Sequence, residues 1–168
     1  MKISDLSEEM WALLFGVRRS ARYHDRRVRF YDFMHTSATA TALIFGSAAV
    51  AGVLSTNQNG DKVAVVSAAL VSIFAAFDLV CGFSRKTWQH AELKRRFLLL
   101  EGKIIGNHDD DSLGCYQAER LTIEMDEPPV MRALDLLCHN ELLRAEGLDG
   151  AEPIGFIKRN TAQLIAWG

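Results

Sequence analysis

Residues 33–54, FMHTSATATALIFGSAAVAGVL, and residues 63–83, VAVVSAALVSIFAAFDLVCGF, decide the fold. Only the polar turn Ser55-Thr56-Asn57-Gln58-Asn59-Gly60-Asp61-Lys62 separates them. At a rise of about 1.5 Å per residue, some 20 apolar residues cross a hydrocarbon layer roughly 30 Å thick. The first run has 22 residues and no charge unless His35 is protonated; the second has 21 and one carboxylate, Asp78. Backbone polar groups in lipid must satisfy one another, so both runs are expected to be helices. The expected fold is all-α: a two-helix transmembrane hairpin whose long helices extend into a small cytoplasmic helical bundle.

Charge is divided along the chain. Residues 1–106 carry 14 Lys/Arg against 9 Asp/Glu, a balance of +5, and residues 107–168 carry 5 against 12, a balance of −7. The organisation follows this split. Residues 1–106 form an N-terminal amphipathic helix, the hairpin and a cytoplasmic extension; residues 107–168 form an acidic cytoplasmic helical region. Cys81, Cys115 and Cys138 show no pairing pattern, which points to a reducing compartment. The first apolar run begins after about thirty charged or mixed residues, unlike a cleaved signal peptide.

The basic residues orient the hairpin. Arg18, Arg19, Arg22, Arg26, Arg27 and Arg29 precede the first run, Arg85 and Lys86 follow the second, and the turn holds only Lys62 beside Asp61. Lys and Arg near span ends mark the cytoplasmic side, so both termini are expected in the cytoplasm of a bacterial inner membrane. There these eight residues would meet anionic headgroups, a contact worth about 1 kcal/mol per basic residue. Their closeness to the spans argues against a nucleic-acid partner.

Ser4 or Asp5 can cap the first helix, with Glu8 and Glu9 in its first turn. Leu6, Met10, Leu13, Val17, Ala21, His24 and Val28 recur at steps of three and four, one face of a helix that continues into the first span. Leu93, Phe97, Leu100 and Ile104 form a matching stripe after the second, so the two extensions should pack antiparallel. Helices are expected over 113–125, from Pro128 to about Glu146 with Gly147 as stop, and over 153–167. The second of these has Val130, Leu134, Leu137 and Cys138 on its core face. The last carries Ile154, Ile157, Leu164 and Ile165 on one side, with Lys158, Arg159 and Trp167 beside them. It either lies on the inner leaflet or packs onto the bundle.

Asp78 is the most informative single residue. An ionisable group within a span costs about 2.5–3.5 kcal/mol on insertion scales, so it faces protein or water. A hairpin turning near residue 58 sets it at the depth of Ala38, close to His35, Ser37 and Thr39. A hydrogen bond to His35 or Thr39 is expected, across the hairpin or across a subunit interface, as part of a water-filled path or a proton-sensitive gate. The alternatives are interhelical glue or a carboxyl near the interface that is simply protonated or hydrated. Small residues, among them Gly46, Gly52, Ala68, Ser72 and Ala75, would let helices approach closely. His108-Asp109-Asp110-Asp111 reads as a solvated loop rather than a metal site, and Cys138-His139 point apart on a helix. No nucleophile arrangement, phosphate loop or zinc spacing is present, so neither catalysis nor a cofactor is expected.

Arg18-Arg19-Ser20-Ala21-Arg22-Tyr23-His24-Asp25-Arg26-Arg27, followed by a two-span hairpin and a second basic helix, resembles the SLATT domains over roughly residues 15–105. These are bacterial two-transmembrane modules of conflict systems. The resemblance implies a membrane-perturbing effector and supplies no catalytic residues. Separately, Asp126-Glu127-Pro128-Pro129-Val130 through Cys138-His139-Asn140-Glu141-Leu142-Leu143 resembles a segment of small prophage membrane proteins of unassigned function. The leading expectation is therefore an inner-membrane protein that homo-oligomerises and perturbs or permeates the bilayer, in a conflict or prophage setting. One alternative is a membrane-anchored module recruiting a cytoplasmic protein. The other is a soluble helical bundle with a buried hairpin.

Overall fold

The computed structural model describes residues 6–55, 59–165 and 167, and every regular element among them is helical. Helix α1 spans Glu8–Leu54, α2 Gly60–Cys81 and α3 Phe83–Gly106. After a 3-10 turn at Asp110–Ser112 come α4 (Leu113–Glu124), α5 (Arg132–Ala145) and α6 (Phe156–Thr161). The cap expected at Ser4 or Asp5 lies outside the described residues. Ser7 serves instead: its Oγ accepts the Met10 N–H at 3.3 Å and donates to Asp110 Oδ1 at 2.6 Å.

Two compact units divide the chain. The first comprises residues up to Arg27 and from Gln89 onward; the second is Val28–Trp88. In the first unit the two stripes meet as expected. Met10, Leu13, Leu14, Val17 and Ala21 of α1 pack on Leu93, Phe97, Leu100 and Ile104 of α3, joined by Tyr116 and Ile123 of α4. The helices run in opposite directions, since Arg18 meets Glu101 while Asp25 meets Lys94. Most of these side chains are wholly enclosed, a burial worth about 1.5–3 kcal/mol for each large one. A smaller cluster joins Tyr23, Ala133, Leu134, Cys138 and Ala162.

Three expectations about the second half change. Pro128 and Pro129 do not open α5, which starts at Arg132 after an extended Met131 (φ −83°, ψ 102°). The prolines push the residues before them, Glu127 and Pro128, out of the helical region. The extended Met131 is held by its N–H, which donates to the Tyr23 hydroxyl at 3.1 Å. Val130 is accordingly exposed, while Leu134 and Cys138 are fully buried and Leu137 packs at the edge. The stop at Gly147 holds, with φ +70°. The last segment holds a single short helix; Ile157, Leu164 and Ile165 face outward, while Ala162 joins the smaller cluster and Trp167 packs against it.

The second unit is an antiparallel pair built from α1 after Arg27, α2 and the first turns of α3. Gly82 separates α2 from α3 in the second arm of this hairpin. It adopts φ +60°, a conformation that a side chain disfavours by roughly 1–2 kcal/mol, and its N–H donates to the Asp78 carbonyl at 2.8 Å. Phe83, next in sequence, is buried between Tyr31 and Phe77. Near the other end Gly52 and Gly60 touch. A Cβ on Gly52 would lie 2.7 Å from the Gly60 carbonyl oxygen, so only glycine allows this approach.

Candidate functional site

The polar contact between the two apolar helices forms at the expected register. His35 Nδ1 lies 3.2 Å from both oxygens of Asp78, joining α1 to α2. His35 is one helical turn from Ala38, the depth at which Asp78 was expected. Thr39 turns away: its hydroxyl donates to the carbonyl of His35 at 3.0 Å, and Ser37 takes no part in the contact. A shallow hollow beside the pair is lined by Ala38, Thr39, Ala42, Phe74, Ala75 and Leu79. The contact sets an imidazole nitrogen against a carboxylate across the two helices.

The surroundings of this pair are apolar and face outward. Leu43, Ile44, Val53, Leu54, Val65, Ile73, Leu79 and Val80 are largely exposed, and of the most apolar stretch of each long helix only 6% and 11% is buried. Hydroxyls within the helices bond their own backbone: Ser47 to Leu43 and Ser72 to Ala68, at 2.8 and 2.9 Å. Such back-bonding leaves little for water to satisfy. Both helices are thus long and apolar enough to cross a membrane. Of the small residues singled out, Gly52 makes the close approach, together with Gly60 and Ala64. Gly46 borders open space, and Ala68, Ser72 and Ala75 are exposed.

The eight basic residues divide. Arg18 bonds Glu101 at 2.7 Å and Glu146 at 2.9 Å; Arg19 lies 3.3 Å from Asp135; Arg26 pairs with Glu141. Arg27 is buried and donates to the Gln163 carbonyl at 2.9 Å. These four are turned into the first unit, where the acidic second half of the chain meets them. Arg22, Arg29 and Arg85 are exposed, and Lys86 lies 5.6 Å over the ring of Tyr31. Part of the opposite charge of the two halves is therefore paired between them.

A second polar cluster escaped the sequence reading. His24 and His90 are both nearly inaccessible, and their Nδ1 atoms are 2.8 Å apart. His24 Nε2 lies 2.9 Å from Glu127 Oε1, and its ring stacks on Phe97. The Nδ1–Nδ1 contact needs one ring to donate and the other to accept, so a single proton lies between the rings, and the cluster ties α1, α3 and the α4–α5 connection together. The one available signal was His24 itself, a polar residue within an apolar stripe.

Burial pushes the Cys138 thiol up to about 12, whereas Cys115 is exposed. The chain matches no family model, no curated protein and no solved structure, so its reading rests on this geometry.

Proposed function

We propose that this chain is a small, non-catalytic integral membrane protein that crosses the bacterial inner membrane twice, keeps both termini in the cytoplasm, and self-associates through its hairpin to perturb the bilayer. The observation that carries the reading is the outward-facing apolar surface of the second unit. A soluble bundle would turn Leu43, Val53, Leu79 and Val80 inward, since exposed apolar area of this extent is unfavourable in water. An outward groove lined by Ala49, Val50, Val53, Leu54, Ala64, Val65 and Ala68 offers small residues for a second hairpin to approach. Two spans cannot enclose a pore, so permeation requires several copies. The His35–Asp78 pair is then the polar element such an assembly would gather at its centre. A conflict or prophage setting follows from the resemblance alone.

Alkaline carbonate extraction tests the membrane step: the protein should stay in the pellet, and release into the supernatant defeats the proposal. Induced expression with a potential-sensitive dye tests the perturbing step. Depolarisation by the wild type, weakened in Asp78→Asn, is expected; full depolarisation by the variant removes the pair from the mechanism.

The recruiting alternative has an observation of its own. Leu98, Leu99 and Ile105 of α3, with Leu121 and Met125 of α4, are exposed on the first unit and suit a protein partner. A hairpin-only chain that still depolarises would argue against it.

A further inference from the structure

The end of the chain is docked with its large apolar residues outward. Two anchors hold its flanks. Asn140, itself buried, donates to the Glu152 carbonyl at 2.7 Å and accepts the Glu152 N–H at 3.0 Å. Further along, Arg27 holds the Gln163 carbonyl, Ala162 is 1% exposed, and the Trp167 indole donates to the Thr161 hydroxyl at 3.0 Å. Between and beside these anchors, Phe156 is 80% exposed, Ile157 67%, Leu164 66% and Ile165 46%. A segment free to choose would bury such side chains and leave Ala162 and Gln163 to water. The arrangement is the reverse, which indicates that something other than water covers this face.

Charge identifies the covering. Residues 107–168 are strongly acidic, yet from Pro153 to Trp167 there is no carboxylate side chain, only Lys158 and Arg159. Both cations are exposed among the apolar side chains. Arg132 and Lys158, with one carboxylate, Glu152, also border an adjoining hollow whose apolar lining includes Leu136, Ile154 and Phe156. Aromatic and aliphatic residues interleaved with cations suit the boundary between acyl chains and anionic headgroups. Two cations set among large apolar side chains within an otherwise acidic region match a surface that is anionic at its rim and apolar beneath it.

We infer that the face formed by Phe156, Ile157, Leu164 and Ile165 rests on an anionic lipid surface, with Lys158 and Arg159 at the headgroups. This inference rests on the membrane reading above and adds a third lipid contact to the two spans. The contact is reversible, because so few apolar residues and two cations provide far less than a span does.

The test uses the full chain in a background of Cys81→Ala, Cys115→Ser and Cys138→Ala, reconstituted in phosphatidylcholine vesicles with or without phosphatidylglycerol. An environment-sensitive fluorophore is attached to Ile157→Cys or, as a reference in the hairpin, to Leu79→Cys. With phosphatidylglycerol present, nitroxide-labelled lipid should quench the label at 157, and iodide should not reach it. Arg159→Glu should shift this bound-to-free equilibrium toward free by roughly fivefold or more. If iodide reaches the label at 157 while lipid still quenches the one at 79, the inference fails and the membrane reading survives. Shielding from iodide without quenching by lipid means that a protein covers the face, which also overturns it. If neither label is quenched by lipid, the membrane reading falls and takes the inference with it.

Discussion

The two units place a histidine beside a carboxylate in opposite settings. In the first unit, His24 reaches Glu127 from inside a closed core and meets His90 through its other ring nitrogen. In the second, His35 meets Asp78 on a helix pair with almost no interior, surrounded by exposed leucine, isoleucine and valine. Helix α1 supplies both histidines, only three turns apart. The first unit excludes its surroundings, and the second displays its apolar side chains to them. One continuous helix thus carries two solvation schemes, and the change falls near Val28, where the units divide.

The largest expected break in this comparison is Phe97→Ala set beside Leu79→Ala. Phe97 is fully enclosed and stacked on His24, so its loss should cost about 3–5 kcal/mol in unfolding followed by circular dichroism in mild detergent. Leu79 is 84% exposed, and its loss should stay within about 0.5 kcal/mol. Equal costs would mean that the hairpin has a core after all.

Next comes the proton-sharing cluster. Glu127→Ala removes the partner of a buried His24 nitrogen and should cost about 1–3 kcal/mol. Asp78→Ala, which frees a half-exposed His35, should cost less in the same measurement. A larger loss from Asp78→Ala would reverse the ranking of the two pairs.

Gly52→Leu probes the hairpin by itself. Its side chain would meet the Gly60 backbone, and overpacking of this kind costs about 1–3 kcal/mol. Cross-linking between cysteines placed at Val53 and Lys62 should fall, while the helical signal of the first unit stays unchanged.

The smallest effect concerns the thiols. Below about pH 12 folded Cys138 keeps its proton, whereas an ordinary thiol begins to ionise near 9. The folded pKa is the raised one, so this contribution is complete below about 9 and is lost as pH climbs toward 12. Wild type should lose stability more steeply across that window than Cys138→Ala. At neutral pH a maleimide should modify Cys115 and spare Cys138; equal rates would show that the α5 core opens readily.

Legibility in the sequence tracked the range of the interaction. The two apolar runs and the stripes on α1 and α3 follow from helical period alone, and so does the antiparallel pairing they imply. The His35–Asp78 contact was within reach because a short turn fixes the register of a hairpin to about one helical turn. The late start of α5 was not, because it depends on a hydroxyl from Tyr23, 108 residues away. Residues 24, 90 and 127 come together only through the packing of three separate segments, and no local pattern announces that. The arginines before the first span mislead for a related reason. Their proximity to the apolar run is visible in the sequence, while their carboxylate partners on α3 and α5 are revealed only by the fold.

The first unit is discontinuous in the chain, and this governs the order in which it can form. Its core needs α1 up to Arg27 and α3 from Gln89, with residues 28–88 in between. Closing that interval as a flexible loop carries an entropy penalty that grows as the logarithm of its length. A hairpin already zipped from Gly52–Gly60 down to Tyr31–Phe83 brings the two ends together beforehand. The stripes of α1 and α3 then meet as neighbours, without that cost. A variant that delays hairpin formation should therefore slow assembly of the whole protein, even where its final stability is unchanged.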